Sequence, residues 1–146
     1  EHDDGEGQKN LELADVIIVG VSRTSKTPTC IYLANKGIKA ANYPLVPDIG
    51  VSKELDEVKS PTVVALITSA QTLVEIRRKR SLELGLKDKE TDYINVHKVE
   101  EEIVAAKRIF ANKGWPVIDI TRRSVEETAS AIMNIISLKE KKENEQ

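Results

Sequence analysis

The chain has 146 residues, 40% apolar and 32% charged, with a net charge of −2. That suffices for one compact domain and is too nearly neutral for bulk nucleic-acid binding. No apolar run reaches membrane-spanning length, no signal peptide is visible, and the lone Cys30 cannot form an internal disulfide, so a cytoplasmic protein with no membrane partner is expected.

Residues 1–14 read as an acidic leading segment, and the start at Glu1-His2, without Met, points to a fragment. By composition Glu1 to Asn10 is a solvated stretch. Even so, Asp3 and Asp4 are adjacent carboxylates of the kind that bind Mg2+ or accept a hydroxyl proton beside a phosphate site.

The informative stretch follows. Val16 to Val19 is an unbroken β-branched run, suited to a strand buried on both faces. Gly20, Val21, Ser22, Arg23, Thr24, Ser25, Lys26 and Thr27 form a small-residue loop, and Cys30, Ile31, Leu33 and Ala34 then recur at helical spacing. Strand, loop, Lys-Thr and helix are the context in which G-x-x-x-x-G-K-[ST] means a phosphate-binding loop. Ser25 stands where the second glycine usually sits, so its backbone is expected to stay in a region open to L-residues. Loop amides and the helix N-terminus would converge on a phosphate. Lys26 would reach the outer phosphates, the Thr27 hydroxyl would hold Mg2+, and Arg23 adds a planar donor fork. The bland reading is a polar turn, which leaves Lys26-Thr27 unexplained. Cys30 on the apolar side of the helix reads as packing.

Ile38 to Val46 suggests a short second strand limited by Pro44 and Pro47, and Ser52 to Val58 one or two helical turns. Thr62 to Ile67 is a third strand that ends in Thr68-Ser69 without a carboxylate, so a metal would rely on water and phosphate, or on Asp3 or Asp4. Thr68 and Gln71 have capping-box spacing ahead of a helix carrying Arg77, Arg78, Lys79 and Arg80. Those side chains read either as a solvated basic face or as a lid with Arg77 and Arg80 closing on a phosphoryl group. A charged connector, Leu86 to Asn95, offers Tyr93 and Asn95 as ligand contacts. It leads to a helix marked by Val99, Ile103, Ala106 and Phe110, with Glu100 to Glu102 expected in its first turn. His97 near that helix start reads as structural or solvated. Pro116 to Ile120 is a fourth strand, followed by Thr121-Arg122-Arg123 at the sheet edge where ligands bind. Arg122 and Arg123 therefore read as phosphate or adenine-side contacts. Ser124 with Glu127 is a capping box for a last helix. The expected fold class is α/β, a P-loop kinase-like parallel β-sheet with helices on both faces. Its domain is residues 15–138, with a charged tail at 139–146.

Several blocks, in order, resemble the pyruvate, phosphate dikinase regulatory proteins. These are Gly20 to Pro28, Ile38 to Leu45, Ile76-Arg77 with Arg80, and Gly114 to Thr128; His2-Asp3-Asp4-Gly5 also looks like that family's segment ahead of the loop. The likeness covers nearly all of this chain but only the C-terminal half of a typical family member. Ser25 belongs to the family pattern, whereas Ala65 to Thr68 departs from its Gly-Leu-Thr-like ending. The resemblance implies a bifunctional enzyme. Such proteins use ADP to phosphorylate a threonine of the dikinase, and remove that phosphate with inorganic phosphate, releasing pyrophosphate. Asp3 or Asp4 would serve as base, Lys26 and Arg23 would neutralise charge, and ADP with Mg2+ would occupy the loop. A homodimer is an open alternative. So are a phosphoenolpyruvate synthase target, a small-metabolite kinase using ATP, and a nucleotide-gated interaction module without turnover.

Overall fold

The computed structural model describes residues 11–83 and 95–144. Strands are β1 (Val16–Gly20), β2 (Ala40–Pro44), β3 (Thr62–Ile67) and β4 (Val117–Asp119). Helices are α1 (Lys26–Asn35), α2 (Lys53–Glu57), α3 (Ala70–Glu83), α4 (Val96–Lys113) and α5 (Val125–Asn144). The four strands form one sheet in the order β2-β1-β3-β4, and every pairing is parallel.

The sheet is buried on both faces because its central strands are apolar at successive positions. Side chains alternate across a strand, so Ile17, Val19, Val63 and Ala65 join Leu73, Val99, Ile103 and Phe110 in one core. Val16, Ile18, Val64 and Leu66 join Leu33, Ala129 and Ile132 in the other. Helices α3 and α4 therefore cover one face, and α1 and α5 the other. Trp115 packs against the first core, its ring centroid 6.3 Å from that of Phe110. Cys30 packs against the second core.

Two local expectations are corrected. Ser69, not Thr68, caps α3, its Oγ accepting from Thr72 N at 3.2 Å, because the Thr68 hydroxyl is engaged with Thr121 instead. Helix α4 begins at Val96, capped by Asn95 Oδ1, so Asn95 serves the helix end and Glu100 to Glu102 fall in the second turn. Helix α5 continues through the charged tail to Asn144. The Ser124–Glu127 capping box is reciprocal, at 2.9 and 3.1 Å. Among the described residues no helix is long and apolar enough to cross a membrane.

Strand order sets where a ligand can sit. The chain leaves β1 for β2 on one side, then crosses back to β3 on the other. The carboxyl ends of β1 and β3 thus flank the point where connections diverge, which is where open α/β sheets form a crevice. The loop Val21 to Ser25 leaves β1 at this point.

Candidate phosphate-binding site

Gly20 ends β1 with no room for a side chain: a Cβ there would lie 2.6 Å from Thr24 Oγ1 and 3.2 Å from the Leu66 carbonyl oxygen. The chain then makes two left-handed residues, Arg23 (φ 72°) and Ser25 (φ 60°, ψ 26°). Ser25 therefore occupies the small left-handed pocket of backbone space, open to an L-residue but favoured by glycine, which accounts for the glycine usual at this place in such loops.

Four of the loop's carbonyls, those of Gly20, Val21, Ser22 and Ser25, are held by donors of the protein. Gly20 O accepts from Leu45 N at 2.8 Å. Val21 O accepts from Thr24 Oγ1 at 2.8 Å and from Lys26 Nζ at 2.7 Å. Ser22 O accepts from Arg77 Nη2 at 3.2 Å, and Ser25 O from Thr29 N and Thr29 Oγ1 at 3.2 and 2.7 Å. By contrast, the amides of Arg23, Thr24 and Ser25 donate to no group among the described residues. Helix α1 starts here with no side-chain cap and no acidic residue in its first turn. Unmatched amides, the positive end of a helix and the buried Lys26 ammonium together favour an anion.

An open cleft of about 450 Å³ lies over the loop, lined by residues 22–28 with Asn42, Pro44 and Ile76. On its β2 side Asn42 Nδ2 donates to Thr27 Oγ1 at 2.8 Å. Asn42 Oδ1 is buried and has no hydrogen-bond partner among the described residues. An orphaned acceptor beside a hydroxyl oxygen fits a hydrated Mg2+, whose bound water would donate to one and whose coordination the other would complete. Among the described residues no group of three or more His, Cys, Asp or Glu could hold a metal ion.

The residues singled out in the sequence part company here. Ser22, Arg23, Thr24, Ser25, Lys26 and Thr27 converge on one cleft, whereas Gly20 and Val21, which precede them, are buried and do not line it. Arg77 is fully buried on α3 and bound at both terminal nitrogens by Glu102, 2.8 and 2.9 Å away, so it is not extended as a lid. Arg80 is exposed, 3.9 Å from Glu83, and lines no part of the cleft. Arg122 and Arg123 are exposed beyond β4 and likewise outside it. Asp3, Asp4 and Tyr93 lie outside the described residues.

Asn42 and Asp119 were not singled out in the sequence, and Glu102 was read only as a helix-end charge. Asp119, at the end of β4 and paired with Ile67 at the end of β3, lies outside the cleft. It accepts from Thr121 N at 2.9 Å and from the Thr121 hydroxyl, while Thr121 Oγ1 accepts from Ser69 N at 3.0 Å. The Thr121 hydroxyl and amide, followed by Lys107 and Arg123, hold the Asp119 carboxyl below its ordinary range. A strand-ending Asp two residues before Thr was the available signal; Asn42 and Glu102 carried none.

The family model described as kinase/pyrophosphorylase matches residues 1–133, nearly the whole chain. The chain belongs to that family. Its relatives include a Caulobacter vibrioides protein, 57% identical over 136 residues, covering 93% of this chain and 43% of the relative. A Bartonella quintana protein is 54% identical over 138 residues, with 94% and 48% covered. One from Rhodopseudomonas palustris strain BisB18 is 45% identical over 144 residues, with 99% and 52% covered. All three carry the provisional name pyruvate, phosphate dikinase regulatory protein. The chain spans about half the length of these relatives.

Proposed function

We infer that this kinase/pyrophosphorylase chain is the nucleotide-binding and phosphoryl-transfer part of a regulator of pyruvate, phosphate dikinase. In this reading the Gly20–Thr27 loop holds the β-phosphate of ADP, the group to be transferred to a threonine of the dikinase as its bond to the bridging oxygen breaks and AMP leaves. The open amides of Arg23, Thr24 and Ser25 bind the phosphoryl oxygens. Lys26, with Arg23 at the exposed rim, neutralises charge that builds during transfer, which is most of what this chemistry asks of a protein. Thr27 and Asn42 would hold Mg2+ through the hydroxyl and a bound water; the ion, when present, supplies charge neutralisation across the phosphates. Asp3 or Asp4 accepts the proton of the target hydroxyl. In the reverse direction inorganic phosphate occupies the same cradle and attacks the phosphorus of the phosphothreonine; the bond from that phosphorus to the threonine oxygen breaks, the oxygen takes back a proton as the hydroxyl, and pyrophosphate leaves.

One observation carries the reading: the carbonyls of Gly20, Val21, Ser22 and Ser25 are held by protein donors, while the successive amides of Arg23, Thr24 and Ser25 donate to no group among the described residues, beside the Lys26 ammonium. The test is a Lys26→Met substitution in the full-length regulator. With ADP and dikinase, phosphorylation read by mass spectrometry should fall about a hundredfold or more, and phosphorolysis should fall with it. Loss of only one activity would refute a shared cradle. Nucleotide binding by the unaltered regulator without any transfer would refute the catalytic role.

A further inference from the structure

Arg77 is the largest of the fully buried side chains, and it joins three parts of the structure. It stands on α3. Its Nη1 and Nη2 donate to Glu102 Oε1 and Oε2 on α4, at 2.8 and 2.9 Å. Its Nη2 also donates to the Ser22 carbonyl oxygen in the loop, at 3.2 Å. A two-pronged carboxylate contact fixes the guanidinium plane as well as its place, which a single contact does not. The third contact then acts on the loop from a rigid base.

Its consequence follows from peptide geometry. In a trans peptide the carbonyl and the next residue's N–H point to opposite sides. All described peptides are trans. With Ser22 O drawn toward Arg77, the Arg23 N–H is turned away from α3. That amide has no protein partner among the described residues, and Arg23 lines the cleft. Were the peptide to flip, a carbonyl oxygen would face the anion instead, and the attraction would become repulsion.

We propose that Arg77 is a positioning residue: clamped by Glu102, its guanidinium holds the Ser22 carbonyl back and so aims the Arg23 amide at the bound phosphoryl group. This rests on the phosphate reading of the loop. It differs from a lid arginine, which would touch the phosphate, and from a simple core brace, which would tie α3 to α4 without effect on the ligand.

The test uses the 146-residue chain and its Glu102→Gln and Arg77→Lys variants. Titration calorimetry measures binding of ADP and, separately, of inorganic phosphate. Amide NMR spectra of the ligand-free protein follow Arg23. Glu102→Gln keeps the shape of the pair but loosens the clamp, so ADP affinity should fall about tenfold and the Arg23 amide resonance should move. Arg77→Lys keeps the charge but loses the fork, and should act in the same direction. A lower melting temperature with unchanged ADP affinity would make the pair a core brace and overturn the proposal. So would tighter binding in Glu102→Gln, the mark of a released guanidinium reaching the phosphate. Failure of both variants to fold would also identify a brace. If the unaltered chain binds neither ADP nor phosphate, the phosphate reading itself falls. The Arg23 resonance then decides the positioning role alone, and an unmoved signal in Glu102→Gln overturns it.

Discussion

Asn42 on β2 donates from Nδ2 to the Thr27 hydroxyl oxygen at 2.8 Å, across the mouth of the loop. The bond occupies one lone pair of that oxygen and leaves its proton and other lone pair to face a ligand. Asn42→Asp would reverse the bond, since a carboxylate accepts, and would add negative charge beside the phosphates. It should weaken Mg–ADP binding by more than about tenfold. Asn42→Ala, which removes one neutral hydrogen bond, should cost about 1 kcal/mol. Calorimetry with and without Mg2+ checks both. If Asn42→Asp binds the metal complex as tightly as the parent, Thr27 is not the metal-side contact.

A Cβ at Gly20 would meet Thr24 Oγ1 at 2.6 Å, closer than real Cβ atoms come, and would crowd the Leu66 carbonyl at 3.2 Å. Thr24 cannot simply turn aside, because its hydroxyl donates to Val21 O and accepts from Lys26 Nζ at 3.2 Å. Gly20→Ala should therefore destabilise the protein by about 1–3 kcal/mol and weaken ADP binding as the loop shifts. Adding Thr24→Ala should restore part of the stability by removing the clashing oxygen. Urea denaturation of the single and double variants measures this. Additive losses would mean that the clash is relieved some other way.

The left-handed backbone at Ser25 makes the residue sensitive to branching. Ser25→Val should cost about 1–2 kcal/mol, because a β-branched side chain crowds the carbonyl in this conformation. Ser25→Gly relieves the strain but frees the unfolded chain, so it should stay within about 1 kcal/mol of the parent. Melting temperatures distinguish the two. A valine variant as stable as the glycine variant would show that the loop relaxes to another backbone.

Acid should unfold the protein through a small set of carboxylates. Amides of Ser60 and Lys59 hold Glu12 below its ordinary range, the Thr121 hydroxyl and amide do so for Asp119, and the Ser124 amide and hydroxyl for Glu127. Depressed folded values mean that the unfolded chain binds protons first as pH falls. Their stabilisation is then complete above the ordinary carboxylate range and is lost as pH drops through the lowered values. Denaturation midpoints between about pH 7 and 3 should decline most steeply at the acid end. Glu127→Gln should flatten that slope by removing one titrating group. An unchanged slope would assign the acid sensitivity elsewhere.

Much of this was legible in the sequence where the cause is local. Val16 to Val19 announces a strand buried on both faces, and Ser124 with Glu127 announces a helix start, because neighbouring residues decide both. The loop could be read as far as Lys26 and Thr27, whose types the chemistry constrains. Arg77 was picked out only together with Arg80, as a lid residue; its burial could not be read, since that depends on Glu102, reached only when α3 packs on α4. The α3 cap moved to Ser69 for a similar reason, as Thr121 on the far side of β4 claims Thr68. Residues whose roles are set by partners distant in the chain leave no local mark.

The grip on Gly20 O and Ser22 O comes from Leu45 and Arg77, which follow in the chain after β2 and after β3. The cradle therefore has no existence in a half-made sheet. Nucleotide or phosphate can be held only by fully folded molecules, and each occupied molecule is withdrawn from the unfolding equilibrium. On the proposed reading, ADP would thus act as a chaperone for this polypeptide, raising its resistance to heat and proteases in step with its supply.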